Sequence, residues 1–567
     1  MSEDKSIEQI EYEKRLRRRL KILQEQLEAG KIRFAKDLQI EKSLMDVRIG
    51  SDGEIDLDTI DGAVRSMALA ITVIHDREEL KKEVSLSEIQ NMYFNFINDN
   101  FGGFYKIMRE RGLTPHQAGL AARNSDDSIK ELTQNLDEFL GPIEQFWKDF
   151  GEIAHIHVED MHGNVKGVFG GDLFPAHNEN IASKCGIYTD TIILPDPFLR
   201  SKQVFTHYSL PDKAYYLMKH AMNILQYKDL ACADVKIPIV VILPDLAELQ
   251  EDEHEFFERL GKADSIVHSA KLFGRQFETY EELMDFCQSL DTIERAVAEI
   301  ADGSKVLFDT DWVGNTASQI ERAIKSDFMK PFGEITPGEA LAVQSLGRMS
   351  VSNELLIKSR RLNATPIIDA PTSWKYLEWK MEYDAERVGS ELFSLNLHVV
   401  KGLNDLAGND MPWLGNIPPE ALIELRRVGA MDEIRSILGS GINALIEASP
   451  SNFYRSKDQI FENINNAFSQ HKANIDELKE KKWKFAGKDI GSWLVIGSVE
   501  VAAAVTGVPV FGLAAIAADQ LLDVPKLKDI PKSIREIADL NNKLNKSPVG
   551  ILFKIHKKYL TTSNNFS

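Results

Sequence analysis

Two stretches of the chain, "DTIILPDP" and "IPIVVILPD", are short apolar runs that both end in Leu-Pro-Asp. A strand covered on both faces need not alternate polar and apolar residues, so such runs are the mark of a buried, mostly parallel sheet. "KVLFDTDW", "TPIIDAP" and "LNLHVVKGL" have the same character. Helical spacing fills the intervals, as in "PDKAYYLMKHAMNILQY", "EDEHEFFERLG", "TYEELMDFCQSLDTIERAVAEIA" and "TASQIERAIKSDF". Strand-like and helical segments in alternation predict a central α/β layer, a mixed or mostly parallel sheet covered by helices, over residues 151–405.

The flanks read differently. Residues 1–150 have helical spacing almost throughout, with Gly102-Gly103 and Pro142 as interruptions. At Ile153 the apolar period changes to two, and "AHIHVEDMHGNVKGVFGG" predicts a β-hairpin at 153–170 that turns between Asp160 and Asn164. "GLNDLAGNDMPWLGNIPPEAL" is rich in Gly, Pro and Asn and predicts a linker at 406–418. Helical spacing resumes over 419–567. The class is therefore a predominantly α, α+β or α/β multidomain protein.

Length and hydrophobic content, 567 residues and 43%, suffice for several filled cores. Acidic residues outnumber basic ones, 87 to 67, so the average field repels phosphate backbones and gives no strong nucleic-acid signal. Cys185, Cys232 and Cys287 are far apart and outside any C-x-x-C pair, which argues against disulfides and thiolate zinc and for a reducing, cytoplasmic setting. The N-terminal segment lacks the apolar core of a signal peptide. Its helical pattern, from Ser6 to about Ala29, aligns Leu16, Leu20, Leu23 and Leu27 on one seam open to self-association. Arg15, Arg17, Arg18, Arg19 and Lys21 alternate there with Glu11, Glu13, Glu25 and Glu28, the pattern of a solvated face with local ion pairs.

Several predicted strands end on acids: Asp190 and Asp196, Asp245, Asp309 with Asp311, and Asp369. At the carboxyl edge of an open α/β sheet such carboxylates could hold Mg²⁺ for phosphodiester or phosphoryl chemistry. The structural reading of the same residues is punctuation. Pro244 ends a strand, Asp245 N-caps a helix and Glu248 completes a capping box, while the prolines on either side of Asp196 fix an extended exit.

A second candidate is "HIHVEDMH", with His155, His157, Glu159 and His162 as zinc ligands; in a strand, residues two apart share a face. The string resembles the H-x-H-x-D-H motif of metallo-hydrolases in its first two histidines. Glu159 stands at the Asp position and Asp160 where the next histidine falls. Ile156 and Val158 would take the core side, leaving the histidines to water. Phosphate-loop, nucleophile-elbow, dinucleotide and H-E-x-x-H motifs do not occur. "RSKQVFTH" and the pair His75-Asp76 lack the partners that would make them sites.

The most apolar segment is 492–522. From Trp493 to Ala518 it carries one charge, Glu500, while Gly507, Pro509 and Gly512 divide it and Phe511 lies between the breaks. Small residues suit a buried hairpin in the helical domain. Flanking Lys481, Lys482, Lys484 and Lys488 also suit contact with anionic lipid, peripheral or integral at the inner membrane. The leading expectation is an intracellular multi-domain interaction or effector protein that works on a protein partner. A metal-dependent hydrolase or nuclease using Mg or Zn, and a membrane-perturbing effector acting through 492–522, are the alternatives.

Overall fold

The computed structural model describes residues 7–32, 40–50, 54–172, 180–245, 251–326, 329, 333–388, 394–408, 410–448, 451–480, 484–485, 488–489, 540 and 543–563. It is predominantly helical, 73%, around a small parallel sheet of four strands, as the sequence predicts. Contacts divide the chain into two compact units: Met1–Ile89 with Asp149–Met161, and Gln90–Lys148 with His162–Ser567.

In the first unit the helices Ile7–Glu28 and Gly62–Glu83 pair along an apolar seam in which Leu16, Leu20 and Leu23 pack with Val64 and Ala68. The expected leucine seam is thus buried within one chain. Arg18 crosses to Asp76 (2.7 Å) and Arg17 to Glu54 (3.1 Å), so two arginines of the basic cluster have internal partners.

The second unit holds the sheet: β1 (Lys166–Phe169), β2 (Thr191–Pro195), β3 (Val240–Leu243) and β4 (Ala364–Ile367), in the order β3-β2-β1-β4 with every pair parallel. β2 and β3 are buried nearly end to end, as their unbroken apolar sequences require. The outer edge of β3 is closed by one side chain. Gln90 Nε2 donates to Ile242 O (3.0 Å) and Gln90 Oε1 accepts from Ile242 N (2.8 Å), which satisfies the Ile242 backbone at the sheet edge. Gly167 in β1 leaves room for Ile367 of β4, because a Cβ there would collide with the isoleucine methyl.

Three of the five predicted strands form. "KVLFDTDW" is instead a 3-10 turn, Gly303–Lys305, followed by an irregular stretch, and "LNLHVVKGL" lies in the helix Ser394–Gly408. No hairpin spans 153–170. The helix Leu136–Glu159 runs through Ile153 to Glu159, and β1 pairs in parallel with β2 and β4. A short apolar run is compatible with either period, and burial among helices decided these. Residues read as a linker carry buried side chains, Trp413, Leu414 and Ile417 among them. Segment 492–522, with Trp493, Glu500, Pro509 and Phe511, lies outside the described residues; among those described, no helix is long and apolar enough to cross a membrane.

Candidate functional site

Because β2 and β3 lie on one side of β1 and β4 on the other, the chain reverses its winding between β1 and β4, and ligands of open α/β sheets settle at the carboxyl ends of such a pair. The residues leaving these strands are Asp172 after β1 and Asp369 after β4. Asp196 leaves β2 and Asp245 leaves β3.

Four cations meet these acids. Arg200, on the helix Pro197–Val204, binds Asp245 Oδ2 (2.7 Å) and Glu354 Oε1 (2.6 Å) and donates to Asp172 O (3.1 Å). Lys358 binds Asp245 Oδ1 and donates to Leu243 O. Arg348 binds Asp172 Oδ1 and donates to Ser373 Oγ (2.8 Å), and Ser373 Oγ donates to Asp172 Oδ2 (2.8 Å). Lys184 binds Asp369 Oδ1 (2.8 Å). Side-chain exposure grades the cluster: Arg200 and Asp245 are buried, at 9% and 6%, whereas Asp172, Arg348 and Asp369 reach solvent, at 23%, 24% and 21%.

Arg348, Glu354 and Lys358 all come from the long helix Pro337–Arg361, which a Thr336–Glu339 capping box begins. Apolar and polar residues are mixed round this helix, so the periodicity that marks an amphipathic surface helix is missing. That mixture is the signal by which sequence reading could have found Arg348, Glu354 and Lys358. Asp172, Lys184 and Ser373 carry no local signal at all.

The structure separates the acids singled out from the sequence. Asp190 precedes β2 and so sits at the opposite, amino edge, where it accepts from Val165 N (2.8 Å) and binds Arg435 (2.9 Å). Asp196 is fully buried. Its Oδ1 caps the helix Pro197–Val204 through Phe198 N (2.6 Å) and Leu199 N (3.1 Å), and its Oδ2 accepts from Trp147 Nε1 (2.6 Å). Burial raises its pKa above the ordinary aspartate value despite these donors. Asp309 and Asp311 form a local turn in which Asp309 Oδ1 accepts from Asp311 N (2.8 Å). Only Asp245 of the five lies in the charged crevice, and both its oxygens are engaged by cations. Glu248 lies outside the described residues.

The histidine candidate is dispersed as well. On a helix, side chains two apart point about 200° from each other, so His155 and His157 do not share a face. His157 Nε2 binds Val84 O (2.9 Å), Glu159 and Asp160 bind Arg77 (2.8 and 2.9 Å), and His162 is exposed beyond the helix. Among the described residues, no group of three or more His, Cys, Asp or Glu could hold a metal ion. Thiol nucleophiles are equally disfavoured, because burial pushes Cys185 and Cys287 up to about 12 and Cys232 up to about 11.

Chemically, the crevice pairs guanidinium and ammonium groups with carboxylates that an incoming anion can replace. A divalent cation would instead have to displace Arg200 and Lys358 from Asp245. Comparison with protein-family models, with curated proteins and with solved structures finds no match to this chain.

Proposed function

We propose that this protein is a ligand-responsive multi-domain effector that takes an anionic, phosphate-bearing small molecule in the crevice between the carboxyl ends of β1 and β4 and acts on a protein partner. One observation carries the reading: Arg200, Lys184 and the pair Arg348 and Lys358, from three helices, meet acids at the carboxyl ends of three parallel strands. Ion pairs buried to this degree contribute little more to stability than apolar packing would. Their placement at a ligand edge, with the outer members within reach of water, favours a binding role. Arginine suits the task because its planar fork matches phosphate oxygens as well as it matches the carboxylates it now holds.

Titration of the full chain with inorganic pyrophosphate tests the proposal. Saturating ligand, at about 100 times Kd, is expected to stabilise the fold by about 2.7 kcal/mol in thermal unfolding, and affinity is expected to weaken as salt rises. Arg348→Ala is expected to lose at least about tenfold in affinity by calorimetry, the size of a charged hydrogen bond removed, while the exposed Arg295→Ala is not. No stabilisation of the wild type, or equal affinity in Arg348→Ala, would overturn the reading.

A further inference from the structure

At the β4 side of the same crevice one buried acceptor has nothing to accept. Asn404, on the helix Ser394–Gly408, is 8% exposed, and its Nδ2 donates to Ile368 O (3.1 Å), the carbonyl next to Asp369. That bond fixes which end of the amide is oxygen and anchors it at the carboxyl end of β4. Asn404 Oδ1 has no hydrogen-bond partner among the described residues. Asp369, the next residue after Ile368, carries Lys184 on Oδ1, and no described group donates to its Oδ2. A buried carbonyl oxygen without a donor forfeits its hydration for nothing, unless a ligand supplies the missing hydrogen.

We infer that Asn404 Oδ1 and Asp369 Oδ2 are specificity-determining acceptors, and that the anion bound here carries neighbouring hydroxyl donors, as a sugar phosphate does. Arg348, partly exposed and anchored by Asp172 and Ser373, takes the phosphate. The two acceptors take sugar hydroxyls, while Lys184 engages the other oxygen of Asp369. A bare phosphate would satisfy Arg348 and leave both acceptors unpaired, which is the arrangement by which a polar site rejects an analogue that lacks the donor. This inference rests on the phosphate reading above.

The test compares ribose 5-phosphate with inorganic phosphate by calorimetry on the full chain. The wild type is expected to prefer the sugar phosphate by about tenfold or more, since one hydrogen bond to a neutral acceptor is worth about fivefold and one to a carboxylate more. Asn404→Leu is expected to lower that preference by about fivefold with phosphate affinity unchanged. Asn404→Ala, which adds no bulk, serves if the leucine variant does not fold. Phosphate binding without a preference for the sugar, or a preference that survives both substitutions, overturns this inference and leaves the anion site standing. Failure of both probes to bind overturns the two together.

Discussion

His268 packs against aromatic rings, with Tyr376 and Trp379 centred 5.6 and 5.0 Å away and only 1% of its surface exposed. Its Nε2 donates to Lys305 O (3.1 Å) and its Nδ1 accepts from Tyr383 OH (3.0 Å), so both nitrogens are satisfied in the neutral form. Burial lowers its pKa from 6.5 to about 4, and the nearby Lys305 ammonium acts in the same direction. Between those values the unfolded chain binds a proton that the folded chain refuses. Stability is therefore complete above pH 6.5 and falls as pH drops through the window, by about 3 kcal/mol. Urea titrations of the wild type and of His268→Gln at pH 7 and pH 4.5 measure this. The variant is expected to lose less stability on acidification, and equal losses would refute the assignment. The sequence around His268 reads as ordinary helix, because the ring-packed, neutral imidazole is made by the helix Pro371–Val388, which is distant in sequence.

The helix Leu210–Leu225 and the strands β2, β3 and β4 fall where the spacing predicts them, while the helix Glu251–Phe273 runs well past the predicted 251–261. The failures are short apolar runs and the His-Ile-His-Val alternation at 155–158, where two side-chain periods fit the same few residues. Glycines show what the elements then ask of one another. In the helix Pro337–Arg361, a Cβ at Gly338 would collide with the Cys287 carbonyl oxygen and lie 2.8 Å from Leu290 Cβ, whereas one at exposed Gly347 meets nothing within 4 Å. Gly338→Ala is expected to cost about 1–3 kcal/mol through overpacking, and Gly347→Ala to add about 0.5–1 kcal/mol through helix propensity. Denaturation midpoints with unchanged slope would show both, and the same sign for the two would refute the docking of this helix.

At the scale of the whole molecule, a formal charge of -20 leaves exposed acids repelling one another. Screening is expected to raise the thermal midpoint as sodium chloride goes from about 0.01 M to about 0.15 M, where the Debye length contracts from about 30 to about 8 Å. A falling midpoint would instead assign the larger share to attractive surface pairs. The sequence by itself determined the helical majority, the parallel sheet and the strand ends at which acids gather, since burial on two faces and helical periodicity are properties of contiguous residues. Only the tertiary structure decided which acids meet. Asp190 and Asp245 flank similar strands, yet one lies at the amino edge with Arg435 and the other at the carboxyl edge with Arg200 and Lys358. Strand order and the approach of the Pro337–Arg361 helix set those partners. Both depend on packing between segments far apart in the chain, which no local pattern encodes.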